Sequence, residues 1–187
     1  MNRVFSDFEL RAMSWKFKSS DAYSPVNCVG SCEEEMEVKP ITKSCRGVVV
    51  KKVNKGTGNG TLKISAHIPW AEYTQAFGMN LDTLIDGVKA YGQHSVHEEF
   101  SVVMDVYDED GIEKLKAYPK CVMETGVARK IENGAEEVAE IEAEIYVMPD
   151  EYGNGLYEAL ADEIAEEVAS TWMTAFTPAL VQAATSV

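Results

Sequence analysis

The segment 139–148, A-E-I-E-A-E-I-Y-V-M, alternates glutamate with apolar residues over most of its length. A period of two is the period of a β-strand, whose successive side chains point to opposite faces. The segment therefore predicts a strand that buries its apolar residues and presents three carboxylates on the other face, namely Glu140, Glu142 and Glu144. Any fold proposed for this chain must contain a half-buried sheet with one acidic side.

Composition excludes several classes of protein. The 187 residues are 45% hydrophobic, which is enough for the core of one folded domain spanning 1–187. The formal net charge of −14 argues against an extended basic surface that grips nucleic acid. No apolar run approaches the ~20 residues of a membrane-spanning helix, and the first residues lack the apolar core of a secretory signal. We expect a protein made in a cytosol, with no membrane partner and with free thiols at its four cysteines.

Other alternating or β-branched segments predict a mainly antiparallel structure. Short turns separate most of them, and short turns join antiparallel neighbours. The glycine-rich segment 54–60 predicts a flexible hairpin tip between two of the strands. We therefore predict a mainly β fold with flanking helices (α+β), built as an antiparallel β-sandwich or barrel over 12–149. The predicted strands are 13–18, 47–53, 62–68, 99–107, 112–117, 121–131 and 139–148.

The same criteria predict an arm, a long loop and a helix in the first half of the chain. Residues 1–11 predict an N-terminal arm, and 19–44 predict a long loop, or a hairpin of irregular strands, that carries the acidic run 33–35. Residues 70–77 predict a short helix with one aromatic face.

The pattern changes after residue 149. Apolar residues four apart predict a helix over 157–169, and the aromatic tail 170–187 predicts a terminal arm within a C-terminal unit 150–187. Removal of this arm would then leave the rest of the chain folded.

No segment carries a catalytic, metal or cofactor signature. The glycines of 56–60 are not followed by Gly-Lys-Ser/Thr or by a helix, so they do not predict a phosphate loop. Cys28, Cys32 and Cys45 lack a second close ligand pair, and the D-E-D-G turn at 108–111 lacks the spacing of an EF-hand. We predict no catalytic residue, no metal and no cofactor.

The second half of the chain contains four distinctive runs. They are Y-D-E-D-G-I-E-K-L-K-A-Y-P-K-C-V (107–122), A-R-K-I-E-N-G-A-E-E-V-A-E (128–140), M-P-D-E-Y-G-N-G-L-Y-E-A-L (148–160) and W-M-T-A-F-T-P-A-L-V (172–181). These runs resemble the major tail tube protein of long-tailed phages and prophages of Gram-positive hosts. The first half fits that family in layout, through G-T-G-N-G and the aromatic helix after it.

The resemblance implies a structural, non-enzymatic virion protein. Six copies would close into a ring, and rings would stack into the hollow tube that conducts DNA from the head to the host without binding it specifically. The implied partners are further copies of the chain and the tail tip, tape-measure and tail terminator proteins. The implied location is the virion tail, assembled in the cytoplasm of a bacterial host.

Residue roles follow from this resemblance as hypotheses. Glu140, Glu142 and Glu144 are predicted to line the lumen, where carboxylates would repel DNA and keep it mobile. Predicted contacts between rings are made by the acidic run and by two aromatic residues of the tail: Glu33, Glu34, Glu35, Trp172 and Phe176.

Other functions stay open on the sequence alone. A tube subunit of a phage-like secretion or contractile device would share the ring but not the DNA cargo. A monomeric barrel that binds a small apolar ligand would place the aromatic helix at its mouth. An enzyme would need acids brought together from distant segments.

Overall fold

The structure is a computed structural model that describes residues 4–26, 28–131, 133–134 and 138–183. Its elements are eight strands and two α-helices, with short 3₁₀ turns at Ala161–Glu163 and Pro178–Val181. In chain order they are β1 (Glu9–Phe17), β2 (Ser24–Val26), β3 (Val29–Cys45), β4 (Val48–Ala66), α1 (Trp70–Ala76), β5 (Phe100–Tyr107), β6 (Glu113–Met123), β7 (Ile141–Val147), β8 (Tyr157–Leu160) and α2 (Glu166–Ala175).

All described strands belong to one antiparallel sheet. Its order is β2-β1-β5-β6-β7-β4-β3, and β8 branches off by pairing with β6. The sheet curls around a single main core, because side chains from β1, β4, β5, β6 and β7 and from α1 are all buried in the same cluster. The predicted fold class, mainly β with flanking helices, is confirmed.

The alternation in the sequence decides which side chains enter the main core. Strand β5 buries Phe100, Val102 and Met104 as predicted, and β7 buries Ala143, Ile145 and Val147 while its glutamates face away. Helix α1 adds Tyr73 and Ala76, Phe77 follows directly after the helix, and Trp70 is left 56% exposed. At about 1.5–3 kcal/mol for each large side chain, these residues supply most of the drive to fold.

A second, smaller core lies on the outer face of β5 and β6. It joins Val103, Leu115 and Ala117 to Trp172 and Phe176 of the C-terminal segment. The prediction of a helix over 157–169 is wrong in its position. Residues Tyr157–Leu160 pair with β6 at Lys114–Ala117, an edge that β7 leaves free because it pairs only with Cys121–Met123.

The predicted long loop at 19–44 is instead mostly strand. It contains β2 and nearly all of β3, but these two strands do not pair with each other: β2 pairs with β1, and β3 forms a hairpin with β4, which lies outside the segment. The hairpin turns at Arg46 and Gly47, whose φ angles are 51° and 77°, and not at 54–60. Residues 54–60 lie within β4, where G-T-G-N-G forms a bulge: Met36 is opposite Gly60 but Val38 is opposite Gly56, so β4 holds two more residues there than β3.

Other predicted boundaries shift by a few residues. The predicted strands 112–117 and 121–131 are instead one strand, β6, which ends at Met123, and residues 9–11 of the predicted N-terminal arm belong to β1. Part of the predicted turn at 131–135 lies outside the described residues.

Candidate functional site

The sheet that curls around the main core is called the barrel below, and the outer part of the β3–β4 hairpin stands away from it. We call residues 37–56 the β3–β4 arm. Strand β7 pairs with β4 only from Gly60 to Ala66, so both edges of the arm have no strand partner within the described chain. The arm exposes Val38, Ile41, Val49 and Val53 by 44–61%. A two-stranded ribbon with bare edges and exposed aliphatic side chains is rare on a monomer, since it invites pairing with another chain.

One face of the arm is a Lys face. Cross-strand register places Lys39 opposite Lys55, Ile41 opposite Val53, and Lys43 opposite Lys51. These six residues alternate along their strands, so they share one side of the ribbon. Like charges directly opposite each other destabilise a strand pair. The arm therefore carries two unfavourable lysine pairs around a small apolar centre.

The base of the arm is held by two glycines. Gly58 has φ of 81°, which favours glycine, and its carbonyl oxygen lies 1.9 Å from where a Cβ on Gly155 would stand. Backbone therefore meets backbone where the bulge of β4 touches the 153–155 loop. This contact fixes the point at which the arm leaves the barrel.

Strands β3, β4 and β7 present a polar outer face. Lys63 on β4 is paired on one side with Glu33 of β3 and on the other with Glu144 of β7. Glu35 and Glu142 lie on the same face by alternation. Two acidic groups that are far apart in the sequence, one in 33–35 and one in 140–144, thus share one surface, which the sequence alone did not predict.

The side chain of Glu140 is held in place by contacts with β3 and β4. Its carboxylate accepts a hydrogen bond from Ser65 Oγ at 2.5 Å. A Cβ on Gly30 would lie 2.3 Å from the same carboxylate, so glycine leaves room for it. Glu142 is exposed and Glu144 is half-buried. The structure therefore brings the three predicted lumen residues to one side of the sheet, with Glu140 anchored against β3 and β4.

Glu34 differs from Glu33 and Glu35 because it points to the inner side of the sheet. Lys116 Nζ and Tyr118 Oη of β6 both donate hydrogen bonds to its Oε2, and its side chain is 23% exposed. Burial, reinforced by the charge of Glu34, raises the pKa of Tyr118 well above its usual value. Burial opposes ionisation of Lys116, but Glu34 outweighs it and the Lys116 pKa is raised. Glu34 thus closes one side of the barrel, and its predicted role as a ring contact does not fit this position.

Trp172 and Phe176 are also not exposed. They are 1% and 2% exposed and lie in the second core, and Trp172 Nε1 donates to the carbonyl oxygen of Lys116 at 3.1 Å. The expectation that this aromatic tail is a free arm is wrong for these two residues. Alternation cannot reveal such a site, because β5 and β6 bury both of their faces.

An acidic end of the sheet lies where β5 finishes. Residues 105–113 carry five carboxylates and no Lys or Arg. Asp108 is buried, and its Oδ1 accepts the backbone N–H groups of Asp110 at 3.0 Å and Ile112 at 2.7 Å. Glu109 and Asp110 are exposed at the tip of this turn. Asp108 therefore fixes a turn that projects the other acids into solvent.

Asp105 is the unusual member of this end. Its Oδ1 is buried and has no hydrogen-bond partner within the described chain. Burial first, and the charge of Glu113 second, raise its pKa to about 6, although Arg11 opposes the shift. The guanidinium of Arg11 is engaged with Glu9 and lies over the Tyr107 ring.

The other potential metal ligands and nucleophiles of the described chain are not grouped into a site. Within the described residues no group of three or more His, Cys, Asp or Glu side chains is placed to hold a metal ion. The four cysteines are free, and burial raises the pKa of Cys32 to about 11. No helix of the described chain is long and apolar enough to cross a membrane.

Solved chains similar to this one include two from the anti-feeding prophage. No protein-family model matches the sequence, and no curated protein matches it. A chain from the cryo-EM structure of the anti-feeding prophage baseplate, 6-fold symmetrised, is 9% identical with a TM-score of 0.47, over 85% of this chain and 97% of that one. A chain from the anti-feeding prophage cap, which terminates the tube, is 8% identical with a TM-score of 0.42, over 85% and 96%.

Proposed function

We propose that this chain is a structural subunit of a phage-type tail tube. Six copies close into a ring, rings stack into a hollow tube, and DNA passes through the lumen without specific binding. The observation that carries the proposal is the β3–β4 arm, whose edges and apolar side chains stay in water unless another chain covers them. Association with further copies removes that exposure, as repeated subunits do in a self-assembling tube.

Two further features support self-assembly. The sequence resembles tail tube proteins in four runs within 107–181. The loop between α1 and β5 also exposes Ile85 and Val96 by 79% and 78%, which is a second uncovered apolar surface. A subunit that meets neighbours within its ring and between rings needs more than one such surface.

The outer face of β3, β4 and β7 is the proposed lumen wall. It carries Glu140, Glu142 and Glu144 together with Glu33 and Glu35, against a single Lys63. A wall with net negative charge repels phosphates and leaves DNA free to slide, whereas a basic wall would hold it by releasing counterions. We assign Glu33 and Glu35 to this wall, so contacts between rings fall to other surfaces.

The proposal includes a place and a set of partners. The protein works as one domain in the tail of a virion assembled in the cytoplasm of a bacterial host. Its partners besides itself are the tail tip, tape-measure and tail terminator proteins. It acts without catalysis, metal or cofactor.

Of two alternatives that the sequence left open, the features of this subunit suit one and oppose the other. The same subunit features serve a tube of a phage-like secretion or contractile device, and the cargo alone separates that tube from a DNA conduit. A ligand-binding barrel requires an open interior, but Trp15, Leu62 and Phe100 fill this one and are 0–2% exposed. Tyr73 of α1 and Phe77 directly after it belong to the same packed core, so only Trp70 of this aromatic face stays exposed.

Cryo-EM of the purified full chain tests the proposal. We expect hollow tubes with six-fold symmetry, and a map in which Glu142 and Glu144 face the lumen. Tubes with these side chains on the outer surface would overturn the lumen assignment only. A chain that stays monomeric at the highest attainable concentration, with and without a crowding agent, would contradict the function itself. Nuclease protection of DNA in isolated particles then separates a DNA conduit from a secretion tube.

A further inference from the structure

Charge is distributed unevenly between the arm and the rest of the chain. The β3–β4 arm, residues 37–56, holds six cations and one carboxylate, so it carries +5. The whole chain carries −14, which leaves −19 for everything outside the arm. A basic projection on an acidic body is attracted to the body of a second copy, and the direction of the strands decides which acidic surface it meets.

The arm and the loop between α1 and β5 lie at opposite ends of β4. We call residues 77–99 the α1–β5 loop. From the arm, β4 runs ten residues further, or about 33 Å, to Ala66, and α1 follows. The loop stays at that end, because the backbone N–H of Glu98 donates to the carbonyl oxygen of Ala76 at 3.3 Å. Copies that share one direction and are displaced along their strands therefore bring the arm of one toward the α1–β5 loop of the next.

The acidic turn at 108–111 does not meet this condition. Gly60 of β4 is connected through β7 and β6 to Phe100, the first residue of β5. From there β5 runs in the direction in which the arm projects and finishes at Tyr107. The turn thus lies at the arm's own end, and displacement along the strands does not bring it to the arm of another copy.

The α1–β5 loop presents carboxylates and aliphatic side chains together. Asp82 and Asp86 are exposed, and neither forms an ion pair within the described chain. Ile85 lies between them in the sequence and is 79% exposed, and Val88 is 46% exposed. The loop therefore offers a small apolar surface flanked by two unpaired negative charges.

Backbone turns hold this part of the loop in a defined shape. The N–H of Leu84 donates to the carbonyl oxygen of Leu81 at 3.1 Å, and the N–H of Val88 donates to that of Ile85 at 3.1 Å. Because the backbone is already ordered, little conformational freedom is lost when a partner binds here.

The Lys face of the arm has the same composition with the opposite charge. Its lysine pairs, Lys39 with Lys55 and Lys43 with Lys51, repel across the ribbon on either side of an aliphatic centre. No ion pair within the described chain links a lysine of the arm to a carboxylate. Carboxylates of a second copy would replace this repulsion by attraction, while aliphatic side chains of both copies leave water.

We propose that the Lys face of the β3–β4 arm docks on the α1–β5 loop of a second copy. The lysines meet Asp82 and Asp86, and the aliphatic centre meets Ile85 and Val88. The inference rests on the proposed function and names the surfaces that join one subunit to the next along the tube. Because the two surfaces differ and lie at opposite ends of β4, the contact is heterologous and the assembly can keep adding copies.

Charge reversal with a matched control tests the arm. The variant K43E/K51E reverses two lysines of the Lys face, and R46E/K52E reverses two cations of the same arm at its turn and on its other face. Both change net charge equally. We expect K43E/K51E to raise the concentration for half-assembly at least about tenfold more than the control does, as measured by sedimentation velocity. Equal effects from the two variants would overturn the assignment of the Lys face.

The same design tests the loop. The variant D82K/D86K reverses the charge of the proposed docking surface, and E109K/D110K makes the same change at exposed residues of the turn at the arm's own end. We expect D82K/D86K to raise the concentration for half-assembly at least about tenfold more than E109K/D110K does. An effect of E109K/D110K that equals or exceeds that of D82K/D86K would show that the arm does not dock on the loop.

Combination of the two reversals gives the decisive experiment. In K43E/K51E/D82K/D86K the arm and the loop exchange charges, so the contact again joins opposite signs. K43E/K51E/E109K/D110K has the same net charge but leaves both surfaces acidic. We expect the first variant to assemble within about threefold of the concentration that the unaltered chain needs, and the second to need at least about tenfold more. No rescue by D82K/D86K, or equal rescue by E109K/D110K, would overturn the inference.

Failure of this inference is distinguishable from failure of the proposed function. If the unaltered chain assembles and the exchange of charges restores nothing, the arm does not dock on the loop, although tube formation stands. If the unaltered chain never assembles, both proposals fall. Far-UV circular dichroism of each variant checks that the reversals, all at exposed positions, leave the fold intact.

Discussion

Replacement of Trp172 by alanine tests whether the C-terminal segment is a core element of the subunit. The side chain is 1% exposed and packs against Val103, Leu115 and Ala117. Truncation of a buried tryptophan to alanine costs about 3–5 kcal/mol in unfolding free energy. Loss of the bond from Trp172 Nε1 leaves the Lys116 carbonyl without that donor and adds about 1 kcal/mol.

The expected total of about 4–6 kcal/mol is a large share of the 5–15 kcal/mol that stabilises a typical domain. Urea unfolding followed by far-UV circular dichroism measures it without relying on tryptophan fluorescence. Thr174→Ala, at an exposed position of the same helix, is the control and should change stability by less than about 0.5 kcal/mol. Deletion of 170–187 should unfold the subunit for the same reason. A loss below about 1 kcal/mol in Trp172→Ala, or a stable truncated subunit, would show that 170–187 is the free arm that the sequence suggested.

Three other substitutions probe the acidic end and the base of the arm. Asp105 has its pKa raised from 3.8 to about 6, so the folded protein holds this proton more tightly than the unfolded chain and stability falls as pH rises through this range. Asp105→Asn should therefore stabilise the subunit by about 1–2 kcal/mol at pH 8, after discounting for solvent screening, and by nothing near pH 3.5; equal gains at both pH values would contradict this. Asp108→Ala removes the acceptor of two backbone N–H groups and should cost about 2–3 kcal/mol in thermal unfolding, whereas a neutral result would show that the turn does not depend on it. Gly155→Ala places a Cβ 1.9 Å from the Gly58 carbonyl oxygen and should cost about 1–3 kcal/mol in unfolding free energy. Gly92→Ala, with open space around it, is the control and should not destabilise the subunit. Similar stabilities of the two variants would argue against a close backbone contact at the base of the arm.

Local alternation was enough to predict much of the sheet. Strands β5 and β7 lie within one or two residues of the segments whose period of two predicted them, because each buries one or both faces against the main core. The helix α1 also matches, since proline and glycine flank its aromatic face. These elements are determined by their own residues.

The incorrect predictions share a physical cause. Each segment pairs or packs with a distant part of the chain, which the local sequence pattern does not reveal. Residues 157–160 have helical spacing but form β8, because β6 offers a free edge. G-T-G-N-G has the composition of a turn but forms a bulge, because β3 continues beside it. Trp172 and Phe176 follow the last strand and resemble an exposed tail, yet the outer face of β5 and β6 buries them. In each case the deciding partner is far away in the chain.

The candidate surfaces were predictable only in part. Sequence alternation placed Glu142 and Glu144 on one face, but only the register with Lys63 adds Glu33 to it and turns Glu34 inward. The Lys face required the pairing of 39–43 with 51–55, which the predicted loop over 19–44 concealed.

The most direct test of the central claim, self-assembly through the β3–β4 arm, is sedimentation velocity of the full chain beside a variant that lacks the arm. In that variant a two-residue Asn-Gly turn joins Glu37 to Gly56, so the barrel and both cores keep all their residues. The account predicts large assemblies, seen as hollow tubes by negative-stain microscopy, for the full chain and a folded monomer for the variant. Tubes formed by the variant as readily as by the full chain would contradict it.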